Sequence, residues 1–247
     1  MIIAGLIKSS LIDYPGKVAA VVFTQGCNFR CGFCHNADLI PIFANTKSLT
    51  GSLPVQGETL RKKSLPETEV LDFLKTRVGK LDGVVITGGE PTIQPDLVEF
   101  IKKIKKLGLL VKLDTNGSAP SVLSNLITEQ LIDYIAMDVK NSPEKYQETC
   151  GFPFSDQIKE SIRIIMDSGI DYEFRTTVLP AFHDKKSIKE LAQLIKGARK
   201  YTLQGFRNGN VYDPDLKNAK SFTRAELLGF KKIAEKYVDE VQIRENI

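Results

Sequence analysis

A segment that is apolar on both faces belongs inside a sheet covered on both sides, and this chain has several such segments. Val18-Ala-Ala-Val-Val-Phe-Thr24 is continuous, apolar and rich in β-branched side chains, the pattern of a parallel-sheet strand rather than of a half-solvated one. Gly83–Gly88, Leu109–Asp114, Ile132–Asp138, Asp171–Val178 and Tyr201–Phe206 repeat it with polar residues at their ends. Between them lie segments with apolar residues at helical spacing: 66–80, opened by Pro66, Glu67 and Glu69 and closed by Gly79, then 95–107, 156–168 and 187–198, with 223–238 last. Six strand–helix units predict an α/β fold, a (β/α)6 partial barrel, with a short final strand at Val241–Arg244. In such barrels sites are built at the C-terminal ends of the strands. Residues 2–16 read as a lead-in ending in the turn Asp13-Tyr14-Pro15-Gly16. Residues 38–66, punctuated by Pro41, Gly51, Pro54 and Gly57, read as an irregular loop or insertion within one domain spanning 1–247.

The loop after the first of these strands carries the chemistry. Cys27-Asn-Phe-Arg-Cys31-Gly-Phe-Cys34 holds three of the four cysteines, and thiolates at this spacing can converge on one soft metal centre. A [4Fe–4S] cluster has four irons, so three cysteines leave one iron open for catalysis. Gly32 lets the loop fold round a cluster, and Phe33 can shield it from water. The rival is a Cys3His zinc site completed by His35, although the side chains of adjacent Cys34 and His35 rarely converge on one ion. Cys150 stands apart in the sequence and reads as a structural thiol. His183 reads as an exposed loop residue.

Asp138 and Lys140 are two apart on a strand and share a face. A buried pair of this kind is costly unless it serves something. Arg175, inside a strand-like run, reads as a cation of the barrel interior. The lysines at 102, 103, 105 and 106 form the solvated face of a helix. A net charge of +4 and the lack of a basic stretch interleaved with aromatics give no sign of nucleic-acid binding. No run is long and apolar enough for a membrane span, and no secretory signal is evident. The expected setting is a reducing cytoplasm.

The motif C-x3-C-x-aromatic-C resembles the cluster motif of the radical S-adenosylmethionine (SAM) enzymes. Its continuation Cys34-His35-Asn36 resembles more narrowly the activating enzymes of glycyl-radical enzymes, above all the anaerobic ribonucleoside-triphosphate reductase activating proteins. Further motifs follow in the family's order. Gly88-Gly89-Glu90-Pro91 resembles the segment that binds the SAM amino group. Asp114-Thr115-Asn116-Gly117 resembles the one near its ribose and methionine, and Asp138-x-Lys140 the one whose lysine meets its carboxylate.

The resemblance implies a radical SAM barrel with a cluster on Cys27, Cys31 and Cys34. It implies SAM contacts from Phe33, His35 and Asn36, from the glycine segment and from Asp114, Thr115, Asn116 and Lys140. Asp138, Lys140 and Arg175 become the candidate catalytic residues. Asp114, Thr115 and Asp138 become a candidate monovalent-cation site. Arg207 stands near a point where the family often has a SAM-contacting histidine. Asp13 and Arg175 are expected to face the partner, although Tyr14 replaces the glycine usual beside Asp13. The implied reaction is one-electron cleavage of SAM, with the electron from a flavodoxin- or ferredoxin-like donor. The 5′-deoxyadenosyl radical then takes a hydrogen atom from a glycine of the partner enzyme, expected to be anaerobic ribonucleotide reductase. Some activating enzymes carry a ferredoxin-like insert; the cysteine-free 38–66 segment predicts none. Two alternatives stay open: a radical SAM enzyme acting on a small molecule or nucleobase, and a non-catalytic zinc-binding module.

Overall fold

Strands that are buried on both faces need helices over one face and side chains filling the other, and the computed structural model, which describes residues 1–40, 64–209 and 211–245, provides both. The strands are β1 (Ile3–Ser10), β2 (Ala19–Thr24), β3 (Gly83–Gly88), β4 (Leu110–Thr115), β5 (Tyr134–Asp138), β6 (Asp171–Val178), β7 (Lys200–Gly205) and β8 (Glu240–Arg244). They form one eight-stranded sheet in chain order. From β2 onward every neighbouring pair is parallel, with the connections carried by α1 (Glu67–Lys75), α2 (Leu97–Lys105), α3 (Pro120–Thr128), α4 (Tyr146–Cys150), α5 (Asp156–Asp167), α6 (Lys185–Leu194) and α7 (Arg224–Ala234). Among the described residues β8 does not pair with β1, so the sheet is an open partial barrel. No described helix is long and apolar enough to cross a membrane.

Two differences from the sequence reading concern the ends of elements. The lead-in contains a strand: β1 pairs antiparallel with β2, Ile3 opposite Thr24 and Ser10 opposite Ala19. Gly5 and the lack of apolar–polar alternation hide it. The helices stop short of the expected limits, at Lys75, Lys105, Asp167 and Leu194, because the chain turns into the left-handed glycines Gly79, Gly108, Gly169 and Gly197 just beyond. Residues 41–63 of the expected 38–66 loop lie outside the described residues.

The two faces of the sheet have different fillings. One carries the main core, where Val84, Ile86, Val111, Leu113, Ile135 and Met137 pack against the helices. The other, concave face carries a small apolar cluster of Ala19, Val21, Val85, Tyr134, Ala136 and Tyr14. Tyr14 is buried, its ring 5.9 Å from that of Tyr134 at the start of β5. It therefore fills the floor of the barrel at the N-terminal ends of the strands. The Asp13–Gly16 turn forms as expected, with Lys17 N–H donating to the Tyr14 carbonyl at 3.1 Å and Gly16 in the left-handed region.

At the opposite end the loop after β6 is pinned to the end of β5. His183 is buried, not exposed as the sequence suggests. Its Nε2–H donates to the Lys140 carbonyl at 3.0 Å, and its Nδ1 accepts from Leu179 N–H at 3.4 Å. Asn141 Nδ2 donates to the Phe182 carbonyl at 3.0 Å. Burial pushes the His183 pKa down to about 4, against about 6.5 in the unfolded chain. The folded state thus binds fewer protons between those values. His183 contributes its stability in full above about pH 6.5, and the contribution is lost as pH falls through about 4. His183→Gln keeps a donor for the Lys140 carbonyl but cannot titrate. Denaturant unfolding of the two proteins should show wild type losing about 1.4 kcal/mol more per pH unit across this window; parallel pH profiles would show that His183 is not buried in its neutral form.

Candidate cluster and SAM site

The cysteine loop leaves β2 through Gln25 and Gly26 and is closed on itself. Gly26 N–H donates to the Leu39 carbonyl at 2.7 Å, and Cys27 N–H to the Ile40 carbonyl at 3.2 Å. Cys34 N–H returns to the Cys31 carbonyl at 3.1 Å. Outside segments clamp the loop through three further backbone hydrogen bonds. Asp213 N–H donates to the Gly32 carbonyl at 2.9 Å and Tyr212 N–H to that of Cys34 at 3.1 Å, while Arg30 N–H donates to the Cys150 carbonyl at 2.7 Å. A β-carbon on Gly32 would come within 3.1 Å of Leu216, so this glycine admits the 213–216 segment. Phe29 anchors the loop by stacking on Phe152, with ring centroids 4.6 Å apart. Phe33 is buried and packs on Phe182 in the main core.

The sulfurs are prepared for charge. Phe29 N–H donates to Cys27 Sγ at 3.4 Å, and Asn36 N–H to the Cys34 sulfur. Burial pushes the Cys27 thiol up to about 12 and raises Cys34. Cys31 is pushed well up by a hydrogen bond with the Cys150 thiol and by burial. Lys140 opposes the rise at all three. Soft thiolates, backbone N–H donors aimed at sulfur and a nearby ammonium suit an iron–sulfur cluster, whose potential responds to these features. The zinc alternative fares worse. His35 Nε2–H donates to the Arg207 carbonyl at 2.6 Å, with its ring against Phe206, so it is not turned to the thiols. The isolation expected of Cys150 is an effect of sequence distance: in space its carbonyl accepts from Arg30 of the cysteine loop.

The ends of β3 and β4 meet the loop through close backbone approach. Gly88 has φ 111°, and a β-carbon there would lie 2.5 Å from Thr24 N. A β-carbon on Gly89 would overlap the Gly26 carbonyl. The glycines thus serve the packing of β3 on the entry to the cysteine loop. Glu90 is buried and saturated: its carboxylate accepts from Thr92 N–H at 3.1 Å, from the Thr92 hydroxyl, from Thr115 Oγ1 at 2.8 Å and from Asn116 N–H at 2.7 Å. Asn116 Nδ2 in turn donates to Asn28 Oδ1, and Asn28 Nδ2 to Ser118 Oγ, both at 2.9 Å. Glu90 fixes the β4 loop, and the β4 loop fixes Asn28, next to Cys27. Asn28 and Ser118 are invisible in the sequence because their bond joins distant loops.

On the concave face lies a chain of alternating charges. Lys140 Nζ donates to Asp138 Oδ2 at 2.9 Å, Arg175 Nε to Asp138 Oδ1 at 2.8 Å, Arg175 Nη1 to Asp114 Oδ2 at 3.3 Å, and Lys112 to Asp114. Burial alone would raise both carboxyls, but Arg175 and the neighbouring lysines hold Asp114 and Asp138 below the usual range. Burial would likewise lower Lys140, yet Asp138 and Cys31 raise it. Lys112 escapes the sequence reading, although its two-residue spacing from Asp114 repeats that of Asp138 and Lys140. Glu173, with Thr202 and Arg244, forms a separate buried pair on the same face.

The expected residues therefore divide. Lys140, Asp138, Arg175 and Asp114 come together, and the charge of Lys140 favours the thiolate forms of the three cysteines. The expected cation site does not converge: a guanidinium stands between Asp114 and Asp138, and the Thr115 hydroxyl turns to Glu90. Arg207 meets the loop only through its carbonyl, and its side chain is exposed. Asn36 is exposed beside His35 and reaches the cluster loop through its backbone N–H. Asp13 lies in the β1–β2 turn at the end of the barrel opposite the cysteines, where it accepts from Ser10 Oγ.

Comparison with known proteins places the chain in a family. Residues 21–196 match the model of the radical SAM superfamily. A Methanocaldococcus jannaschii protein provisionally named a glycyl-radical enzyme activating enzyme is 34% identical, over 98% of this chain and 95% of its own length. The pyruvate formate-lyase-activating enzyme of Clostridium pasteurianum is 28% identical, over 76% of this chain and 74% of its own. The fold is shared with Streptococcus suis SuiB in its SAM-bound crystal structure, with a TM-score of 0.65 at 16% identity; the match covers 92% of this chain and 50% of that one. With the family model spanning most of the chain and an activating-enzyme relative matching nearly all of it, the chain belongs to the radical SAM superfamily, in the group of glycyl-radical enzyme activating enzymes.

Proposed function

We propose that this protein cleaves SAM reductively at a [4Fe–4S] cluster held by Cys27, Cys31 and Cys34, and so installs a glycyl radical on a partner enzyme. The observation that carries the reading is the ammonium of Lys140, held by Asp138 on the concave face and close enough to Cys31 to act on its charge. Cys27, Cys31 and Cys34 would hold the cluster, which would supply the one-electron chemistry of SAM cleavage.

The residues of the chain position and shield. Lys140 offers the SAM carboxylate a charge-assisted hydrogen bond, and Asp138 and Arg175 hold that ammonium in place. Glu90 orders the loops that would border the methionine end. The open side of the barrel suits entry of a peptide loop. The Cys34-His35-Asn36 resemblance favours anaerobic ribonucleoside-triphosphate reductase as the partner, with a flavodoxin- or ferredoxin-like protein as electron donor and the cytoplasm as the setting.

Anaerobic incubation of reduced, iron-loaded protein with SAM and a candidate glycyl-radical enzyme should give a glycyl-radical signal by electron paramagnetic resonance, abolished by Cys27→Ala, Cys31→Ala or Cys34→Ala. Zinc without iron or sulfide after anaerobic purification would overturn the reading; SAM cleavage without a radical on any partner would overturn its partner half.

Lys140→Ala should weaken SAM binding on the order of ten- to a hundredfold, the worth of one charged hydrogen bond, and leave the cluster in place. Asp138 retains Arg175, so the stability loss should stay below the about 3–5 kcal/mol of a stranded buried charge. Calorimetric SAM affinity and melting temperature on the same variant check both; a badly destabilised protein with unchanged affinity would make Lys140 a structural residue.

A further inference from the structure

The residues on either side of Cys27 are anchored to one buried unit, and those beside the other two cysteines are not. Before Cys27, Glu90 N–H donates to the Gly26 carbonyl at 2.8 Å. After it, Asn28 closes a ring of three hydrogen bonds. Asn116 Nδ2 donates to Asn28 Oδ1, Asn28 Nδ2 donates to Ser118 Oγ, and Ser118 N–H donates back to Asn116 Oδ1, each at 2.9 Å. Asn116 N–H donates to Glu90 Oε2 at 2.7 Å, so both anchors belong to one body. That body is fixed to the rest of the fold. The Gly117 carbonyl accepts from the fully buried Ser161 Oγ of α5 at 2.7 Å, and a β-carbon on Gly117 would overlap the Met137 side chain of β5. Asn116 and Ser118 are themselves buried, and the Asn116 carboxamide is engaged at both ends. The later part of the cysteine loop is tied elsewhere, Arg30 to Cys150 and Gly32 and Cys34 to the 212–213 segment.

We propose that Asn28 is a positioning residue for SAM cleavage: its carboxamide registers Cys27 against the loops after β3 and β4. The inference rests on the proposed function, in which those loops border the methionine end of SAM. A cysteine sulfur stands one rotatable bond from the backbone, so its place is set by the residues beside it. Gly26, with φ 97°, is a natural pivot. Held only through Gly26, the first cysteine can swing; held through Asn28 as well, it cannot. A misplacement of about 1 Å in a reacting geometry can cost about a hundredfold in rate. The ring makes a specific demand on residue 28. Asn116 offers it a donor, and the Ser118 hydroxyl can either accept or donate. A carboxylate at this position therefore keeps both bonds, whereas an aliphatic side chain of the same size keeps neither.

The test compares Asn28→Leu with Asn28→Asp. Iron-loaded proteins are titrated anaerobically with SAM by calorimetry, and iron and sulfide are assayed on the same samples. Asn28→Leu should keep its iron and sulfide and lose about tenfold in SAM affinity, as expected for buried hydrogen bonds left unmade. Asn28→Asp should retain most of the wild-type affinity. Ser118→Ala should weaken binding in the same direction, and adding it to Asn28→Leu should cost little further. A second readout needs neither SAM nor cluster. Hydrogen exchange on the iron-free full-length chain should be several-fold faster in Asn28→Leu over residues 26–31 and 116–118, and unchanged over 212–217. Unaltered SAM affinity in Asn28→Leu, equal loss in the Leu and Asp variants, loss of iron, or faster exchange throughout the chain would each overturn the inference. A wild type that binds no SAM would strike down the proposed function and this inference with it. A wild type that binds SAM, beside an unaffected Asn28→Leu, would strike down the inference alone.

Discussion

The site depends on a guanidinium shared by two carboxylates. Arg175 bonds Asp138 and Asp114, which in turn hold Lys140 and Lys112. In this chain three cations face two anions, and the neighbouring Glu173–Arg244 pair cancels, so the concave face carries one positive charge in excess. Desolvating charges is costly, and a fully neutralised pair is often no better than an apolar filling. A surplus ammonium at the C-terminal end of the barrel is intelligible if an anion joins it during function. Removing Arg175 would leave each carboxylate a lysine but take away the cation that bridges Asp138 to Asp114, whereas removing Lys140 leaves that bridge intact. Arg175 is therefore the structural member of the chain, and Lys140 the member free to serve a ligand.

The rest of the fold keeps that charge next to the thiols. The β2–β3 register and the glycines at the end of β3 bring the cysteine loop down onto the sheet. Glu90 ties β3 to the β4 loop, and through Asn116 to Asn28 beside the first cysteine. His183 and Asn141 tie the end of β5, and with it Lys140, to the loop after β6. The ends of β3, β4 and β5 are thus fixed to neighbouring loops by buried polar bonds, an arrangement that rigidifies a site only when all of its members are satisfied.

Much of this is legible in the sequence. The continuous apolar strands announce a parallel sheet because they are buried on both faces. The spacing of Asp138 and Lys140 announces a shared face because side chains alternate along a strand. The thiol spacing marks the candidate metal loop. What escapes the sequence comes from partners that only the fold brings together. Cys150 looks isolated, yet its carbonyl accepts from Arg30 of the cysteine loop. His183 looks like an exposed loop residue, and its burial comes from the fold of the 179–184 loop over β5. Tyr14 looks like a blemish in a turn motif and fills the barrel floor. The same turn leaves Asp13 far from the cysteines, a consequence of β1 running antiparallel to β2 that no local pattern signals.

The central claim is that Lys140 is held by Asp138 in order to meet the SAM carboxylate, and a thermodynamic cycle tests it most directly. SAM and decarboxylated SAM would be titrated calorimetrically into iron-loaded wild type and Lys140→Ala under anaerobic conditions. Removing the carboxylate should cost wild type about as much as removing the ammonium does, on the order of tenfold or more, and should cost the variant little further, since the interaction is already gone. Losses that simply add would show that carboxylate and ammonium do not meet, and would contradict the account.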